Sequence, residues 1–242
     1  MLVPPRVRGV EILDDPATDP LVRERSLRDV ARSNALFGGT HAVLAELEAA
    51  LRDDAVRDDA VRDDGEVSLL DVGTGLGDIP ARARALAARR GVRLVTFGVD
   101  AMPCLAAASR ARGVLAVGGD ARALPFGDAS VDVVTCSQVL HHFTEDEGRL
   151  LVRELDRVAR HRVIISDIRR TRVAAAAIWL ASFPLRFHPV SRHDGVVSVL
   201  RGFTPGELET LVKSAVGQTP AVARRAGFRV TARWRPARNL AR

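Results

Sequence analysis

The residues of this chain best suited to chemistry stand at the ends of short apolar runs. Leu69-Leu70-Asp71-Val72-Gly73-Thr74-Gly75-Leu76-Gly77-Asp78 is the densest case: an apolar run meets an acid, and glycines follow in a G-x-G-x-G pattern. Glycine reaches backbone angles closed to other residues, and its missing Cβ lets a ligand approach the main chain. A strand that passes through such a loop into a helix N-terminus forms a nucleotide-type binding edge. The dinucleotide fingerprint needs two residues between its last two glycines. This loop has only Leu76 there, which disfavours a nicotinamide oxidoreductase. Asp100 ends the run from Arg93 to Val99, and a carboxylate at that strand tip accepts both hydroxyl protons of a ribose. Asp120, after Val114 to Val117 and Gly118-Gly119, is placed to accept a hydrogen bond from an exocyclic adenine amine.

The elements that must position these residues alternate strand and helix. Residues 67–168 read as a cofactor-binding α/β core, a doubly wound Rossmann-like sheet that is mostly parallel. Its strands end at Asp71-Val72, Asp100 and Val117, continue through Val131-Asp132-Val133-Val134, and close with Val163 to Ile168. Between them, Asp78 is expected to cap a helix that packs Ile79, Ala83, Leu86 and Ala87 on the sheet. Thr144-x-x-Glu147 is a capping-box pattern before Leu150, Leu151, Leu155 and Val158. Residues 1–66 read as a helical extension, with Asp19-Pro20 starting one helix and Gly38-Gly39-Thr40 breaking it to start another. Leu27, Val30, Ala31 and Asn34 share a face of the first; Val43, Leu44, Leu47, Ala50 and Leu51 form the stripe of the second. The repeat Arg52-Asp53-Asp54-Ala55-Val56, with copies from Arg57 and Arg62, reads as a solvated linker. Its arginines neutralise the aspartates, so no metal is expected there. In residues 169–242, Thr204-Pro205-Gly206-Glu207 and Thr219-Pro220 mark two helix starts, and Phe228 to Trp234 supplies a strand. The final stretch is broken by Pro236, so a further strand after it is not expected.

The order of these motifs resembles the class I S-adenosylmethionine-dependent methyltransferases, particularly the small-molecule branch that includes quinone-biosynthesis enzymes. The resemblance rests on the glycine loop, Asp100, Gly119-Asp120-Ala121 with Leu124-Pro125-Phe126, and Leu140-His141-His142-Phe143 after the fourth strand. It implies S-adenosylmethionine as cofactor. Gly73, Thr74, Gly75 and Gly77 would cradle its methionyl and ribose part, with Asp71 orienting the loop toward the amino group. Asp100 would hold the ribose, Ala101 and Met102 would lie against adenine, and Asp120 with Ala121 would read the adenine edge. Ser137 or Gln138 would close over the methionine end.

The chemistry implied is transfer of a methyl group to oxygen, or to carbon, of a hydrophobic small molecule such as a phenolic, quinone or polyketide-like metabolite. A phenol with a pKa near 10 is helped by a histidine near 6.5. His142 and His193 are the candidates for this role, with His141 behind them. Trp179, Leu180, Phe183, Leu185 and Phe187 offer apolar bulk for an acceptor pocket, or equally for the core. The Ser137-Gln138-Val139-Leu140 segment lacks the Asn/Asp-Pro-Pro-aromatic pattern of enzymes that methylate amide or exocyclic nitrogens. A non-catalytic protein that keeps the cofactor site is the alternative of another class, and an RNA methyltransferase is the third.

Composition narrows the partners. The net charge is +6 over 242 residues, but the arginines are scattered among acids and the chain has no tyrosine. That argues against a nucleic-acid platform, which clusters cations with stacking aromatics. Cys104 and Cys136 are the only cysteines, consistent with a reducing cytoplasm and no disulfide framework. The apolar run from Val173 to Leu185 is shorter than the ~20 residues of a bilayer span. A homodimer is left open.

Overall fold

The computed structural model describes residues 3–15, 17–53, 56 and 65–236. The polar repeat lies mostly outside the described residues. At the centre is a seven-stranded sheet in the order β3-β2-β1-β4-β5-β7-β6. β1 (Glu66–Val72), β2 (Arg93–Asp100), β3 (Leu115–Gly118), β4 (Val131–Ser137) and β5 (Ala159–Ile168) run parallel. β6 (Ala221–Arg225) and β7 (Arg229–Trp234) form a hairpin, and β7 pairs antiparallel with β5.

A parallel sheet covered on both faces needs apolar residues on both sides of each strand, and the central strands supply them in neighbouring pairs. Leu69, Val133 and Ile164 face one layer, packing on Leu47 and Leu51 of α2 (Gly39–Ala50) and its end, and on Ala83 and Ala87 of α3 (Asp78–Ala88). Leu70, Val134 and Ile165 face the other layer, with Leu151 and Leu155 of α5 (Glu145–Val158) and Leu208 and Val212 of α8 (Pro205–Val216). Helix α4 (Pro103–Arg110) covers β3 through Ala106. Both capping boxes form, Thr144 with Glu147 and Thr204 with Glu207.

Three local readings differ from the structure. Thr219-Pro220 starts no helix: Gly217 ends α8 at φ +75°, and the chain enters β6, so the hairpin with β7 completes the sheet. Asp78 is a first-turn acid, whereas the cap position is Gly77 at φ +74° with no side-chain cap. In α1 (Pro20–Leu36), Val30 is exposed to 41% and buries no core stripe. Its face, with Ser33 and Asn34, borders a cavity instead.

That cavity is closed by long-range polar contacts. α6 (Arg172–Ser182) and α7 (Pro189–Arg201) stack together after β5. Asp29 of α1 accepts from the His188 N–H at 2.8 Å and the Ser191 hydroxyl at 2.9 Å, tying α1 to the start of α7. The segment before α1 straps across α7: Asp194 accepts from the Ile12 and Leu13 N–H groups, and Arg170 donates to the Pro4 carbonyl. Among the described residues no helix is long and apolar enough to cross a membrane.

Candidate active site

The register of the sheet brings the functional side chains to one edge. Asp71 stands opposite Thr135, Ser137 opposite Ser166, and Ile168 opposite Arg229. Because β7 runs antiparallel, its first residue lies at the edge where the parallel strands end. An open α/β sheet binds ligands at this edge.

The glycine loop leaves β1 here, with Gly73, Gly75 and Gly77 all at positive φ. A Cβ on Gly73 would lie 2.1 Å from Val139 Cγ2, so this glycine seats the loop against the segment after β4. A Cβ on Gly75 would meet nothing within 4 Å, so this side of the loop is open. Asp100 holds the loop: its carboxylate accepts from the Gly75 N–H at 2.8 Å and the Met102 N–H at 2.9 Å. Burial raises its pKa despite those two bonds. Asp71 is fully buried, and Thr135 Oγ1 donates to its Oδ1 at 2.9 Å. Burial pushes its pKa up to about 7. Asp71 Oδ2, Thr74 Oγ1 and Ser137 Oγ are buried and have no hydrogen-bond partner among the described residues. Ala101 and Met102 follow Asp100 at the surface. Asp120 is gripped by Arg122, whose side chain also reaches Glu147; the Arg122 hydrogen bonds hold its carboxyl below the usual range.

Beside this loop lies the cavity, of about 100 Å³. Phe37, Ile168, Ile178, Phe187 and Phe228 give it an apolar wall. Gln138, one residue before the Val139 that packs on Gly73, also lines it, so the cavity and the glycine loop share the segment after β4. Gln138 and Phe228 both sit at φ +57°, a region costly for residues other than glycine. Such strain concentrates at functional sites. Of the aromatic and apolar bulk expected to line a pocket, only Phe187 does so. Trp179, Leu180 and Phe183 are exposed to 47%, 60% and 47%, because α6 turns Ala174, Ala177 and Ile178 inward.

The histidines sit outside the cavity wall. His141 is buried, with Nδ1 2.7 Å from Asp167 Oδ1 and Nε2 3.8 Å from Glu11. Burial opposes ionisation of Asp167, but His141 beside it keeps its pKa below the usual value. His142 stacks on His141 with ring centroids 4.3 Å apart, and its Nδ1 lies 3.2 Å from Asp14 and 3.9 Å from Glu11. Burial pulls the His142 pKa down, yet the Asp14 hydrogen bond and the neighbouring acids outweigh it and the net shift is upward. His193 is half exposed and bonds Asp194 at 2.9 Å. Glu11 and Asp194 do line the cavity, so each histidine meets it through a carboxylate. Glu11, His141 and His142 present ligand atoms within 4.8 Å of one another. A guanidinium already serves as their cation: Arg201 Nη1 lies 3.1 Å from Glu11 and 3.4 Å from His142. Glu11 and Arg229 were not legible as site residues, since only strap closure and antiparallel pairing bring them here; Asp167 stands at the end of β5, where His141 meets it.

Comparison with known proteins agrees with this geometry. Residues 70–166 match the family model described as a methyltransferase domain. The fold is similar to that of a SAM-dependent methyltransferase from Thermotoga maritima, at 14% identity over 89% of this chain and 99% of that one, with a TM-score of 0.57. It is also similar to magnesium protoporphyrin IX methyltransferase from Synechocystis PCC 6803 with bound S-adenosylhomocysteine, at 15% identity over 93% and 91% of the two chains and a TM-score of 0.54. The citrinin polyketide synthase CMeT domain matches 69% of this chain and 46% of its own at 13% identity, with a TM-score of 0.52. No curated protein matches the chain. Residues 70–166 thus match a methyltransferase domain, and the fold of the chain is similar to that of SAM-dependent methyltransferases. The Synechocystis enzyme is also known with S-adenosylmethionine bound. The site fits that molecule: Gly75 opens onto free space, and unpartnered buried oxygens of Asp71, Thr74 and Ser137 stand at the same edge.

Proposed function

We propose that the protein methylates an oxygen of a hydrophobic small molecule, of phenolic, quinol or polyketide-like character. The carrying observation is the apolar cavity that shares Gln138-Val139 with the glycine loop. When bound, S-adenosylmethionine supplies a methyl carbon made electrophilic by the attached sulfonium. The residues of this chain then have two tasks, orientation and desolvation, and both lower the barrier to a displacement.

In this reading Gly73, Thr74, Gly75 and Gly77 hold the methionyl and ribose part of the cofactor, and Asp71 faces its amino group. Asp100 accepts from the ribose hydroxyls on lone pairs left by Gly75 and Met102. Ala101, Met102, Asp120 and Ala121 border the adenine, while Ser137 and Gln138 close the methionine end. Phe37, Ile178, Phe187 and Phe228 shed water from the acceptor. For a phenolic acceptor the proton leaves through Glu11 to His142, 3.9 Å apart, or through Asp194 to His193, 2.9 Å apart.

Calorimetric titration with S-adenosylmethionine and S-adenosylhomocysteine, using NAD as control, tests the first half of this reading. Transfer of labelled methyl to a panel of naphthols and hydroxybenzoates tests the second. Binding of both sulfur ligands, lost in Asp100→Ala, is expected, with O-methyl products on the panel. Binding of NAD alone, or salt-sensitive binding of RNA with an inert phenolic panel, would overturn it.

A further inference from the structure

Arg229 is only 4% exposed, yet no carboxylate among the described residues forms an ion pair with it. Its Nη1 donates to Gln138 Oε1 at 3.0 Å and its Nε to the Phe37 carbonyl at 3.3 Å; both acceptors are neutral. Nη2 donates to no described residue. Taking a guanidinium out of water without an opposite charge is expensive, and such groups are normally paired. Here burial pulls the Arg229 pKa down to about 10, only partly offset by Asp167.

The acids of the cavity wall do not neutralise it, because each is engaged elsewhere. Asp29 takes the His188 N–H and the Ser191 hydroxyl, and Asp194 takes the Ile12 and Leu13 N–H groups. Glu11 takes Ser198 and Arg201. A second positive element lies against Arg229. Helix α2 begins at Gly39 without a side-chain cap, and a Cβ built on Gly39 would be 3.4 Å from Arg229 Nη2 and 3.0 Å from Gln138 Nε2. Thr40, in that first turn, has a buried hydroxyl with no partner. Uncapped N–H groups at a helix start favour an anion. The backbone locks this arrangement: Gly227 packs under the Phe37 carbonyl and Gly38 under that of Ala226, joining the α1–α2 turn to the β6–β7 turn.

We propose that Arg229, seated against the α2 N-terminus, binds an ionised oxygen of the acceptor, so that the acceptor is an apolar organic acid: a phenolate, an enolate or a carboxylate. This rests on the methyltransferase reading above and names the acceptor class for it. The balance is simple. The anionic oxygen's lone pair forms the new O–CH3 bond, the carbon–sulfur bond breaks with its electrons left on sulfur, and anion plus sulfonium become two neutral products. No proton leaves in that step. The guanidinium therefore favours the ionised acceptor before transfer and releases the neutral ether or ester afterwards.

The test uses three naphthalene probes of one shape, with the full chain saturated by S-adenosylhomocysteine so that nothing turns over. These are 2-naphthoate, 2-naphthol and neutral 2-naphthalenemethanol, each titrated by naphthalene fluorescence. The wild type should bind 2-naphthoate at least tenfold more tightly than 2-naphthalenemethanol at pH 7.5. A 2-naphthol affinity that climbs with pH through the phenol's ionisation assigns the site to phenolates; a flat one assigns it to carboxylates. Arg229→Gln should abolish the preference for the anion, and Arg229→Lys should restore part of it. An equal affinity for the acid and the alcohol in the wild type needs no variant to interpret and overturns the proposal. So does a preference that survives Arg229→Gln. Failure of S-adenosylhomocysteine itself to bind would instead refute the methyltransferase reading.

Discussion

Gly75→Ala separates a loop that is merely folded from one that cradles a ligand. Gly75 stands at φ +54°, and a methyl placed on it meets no heavy atom within 4 Å. An alanine there carries a left-handed backbone penalty of about 1–2 kcal/mol. At about 2–4 °C per kcal/mol for a chain of this size, the free protein should melt roughly 2–8 °C lower. The neighbouring Gly73→Ala is the contrast: its methyl would stand 2.1 Å from Val139 Cγ2. Overpacking of about 1–3 kcal/mol adds to the same backbone penalty, for a total of about 2–5 kcal/mol.

The two variants should therefore rank oppositely by stability and by the specificity of their binding defect. Calorimetric titration with S-adenosylhomocysteine should show Gly75→Ala weakened at least tenfold, which is about 1.4 kcal/mol, although its fold is the less disturbed. Val139→Ala should restore part of the stability lost in Gly73→Ala and none of the affinity lost in Gly75→Ala. Wild-type affinity in a folded Gly75→Ala would refute the reasoning, since the open side of the loop would then not face the ligand.

Two further outcomes follow from the site. Asp71 holds its proton up to about pH 7 in the native state, because of burial, while the unfolded chain loses it near 3.8. Its contribution to stability is thus complete below that lower value and falls as pH rises toward 7; Asp71→Asn should flatten this part of the profile in scanning calorimetry from pH 4 to 8, and an unchanged slope would contradict it. Gly195 lies within α7 and lines the cavity, and a Cβ there would crowd Ile178 Cγ1 at 3.2 Å on the same wall. In Gly195→Ala the helix-propensity gain of about 0.5–1 kcal/mol is set against displacement of Ile178, and the acceptor KM should rise while S-adenosylhomocysteine affinity is unchanged; a weakened cofactor with an unchanged KM would reverse the assignment of the two halves.

What could be read from the chain in advance follows from the range of the contacts involved. The glycine loop, Asp100 and the Thr144 and Thr204 capping boxes depend on residues a few positions apart, so their spacing carries the geometry. The apolar pairs Leu69-Leu70, Val133-Val134 and Ile164-Ile165 likewise announce strands buried on both faces. The acceptor side has no such local code. Val30 and Asn34 resemble a core stripe, and only the tie from Asp29 to His188 and Ser191 turns that face onto a cavity. Trp179 and Phe183 resemble pocket aromatics, yet they pack on each other edge to face at the surface. Pro220 reads as a helix start, but pairing with β7 makes the following residues a strand. In each case a contact distant in sequence outweighs the local preference.

The same distinction bears on how the two halves of the site work together. The cofactor side hangs on consecutive strand ends within one α/β unit, where parallel register alone aligns Asp71 with Thr135. The acceptor side is assembled from the strap, α1, α6, α7 and the β6–β7 turn, segments that touch only after the chain has folded back on itself. Arg229 joins the two. Its backbone belongs to β7 and is fixed by pairing with Ile168, while its guanidinium holds Gln138 at the end of β4 and the Phe37 carbonyl at the end of α1. A buried cation at that junction holds three elements, and it has no carboxylate partner among the described residues. Under the proposal above, an anionic acceptor supplies the missing charge and methyl transfer removes it, so the residue that selects the acid also favours release of the neutral product.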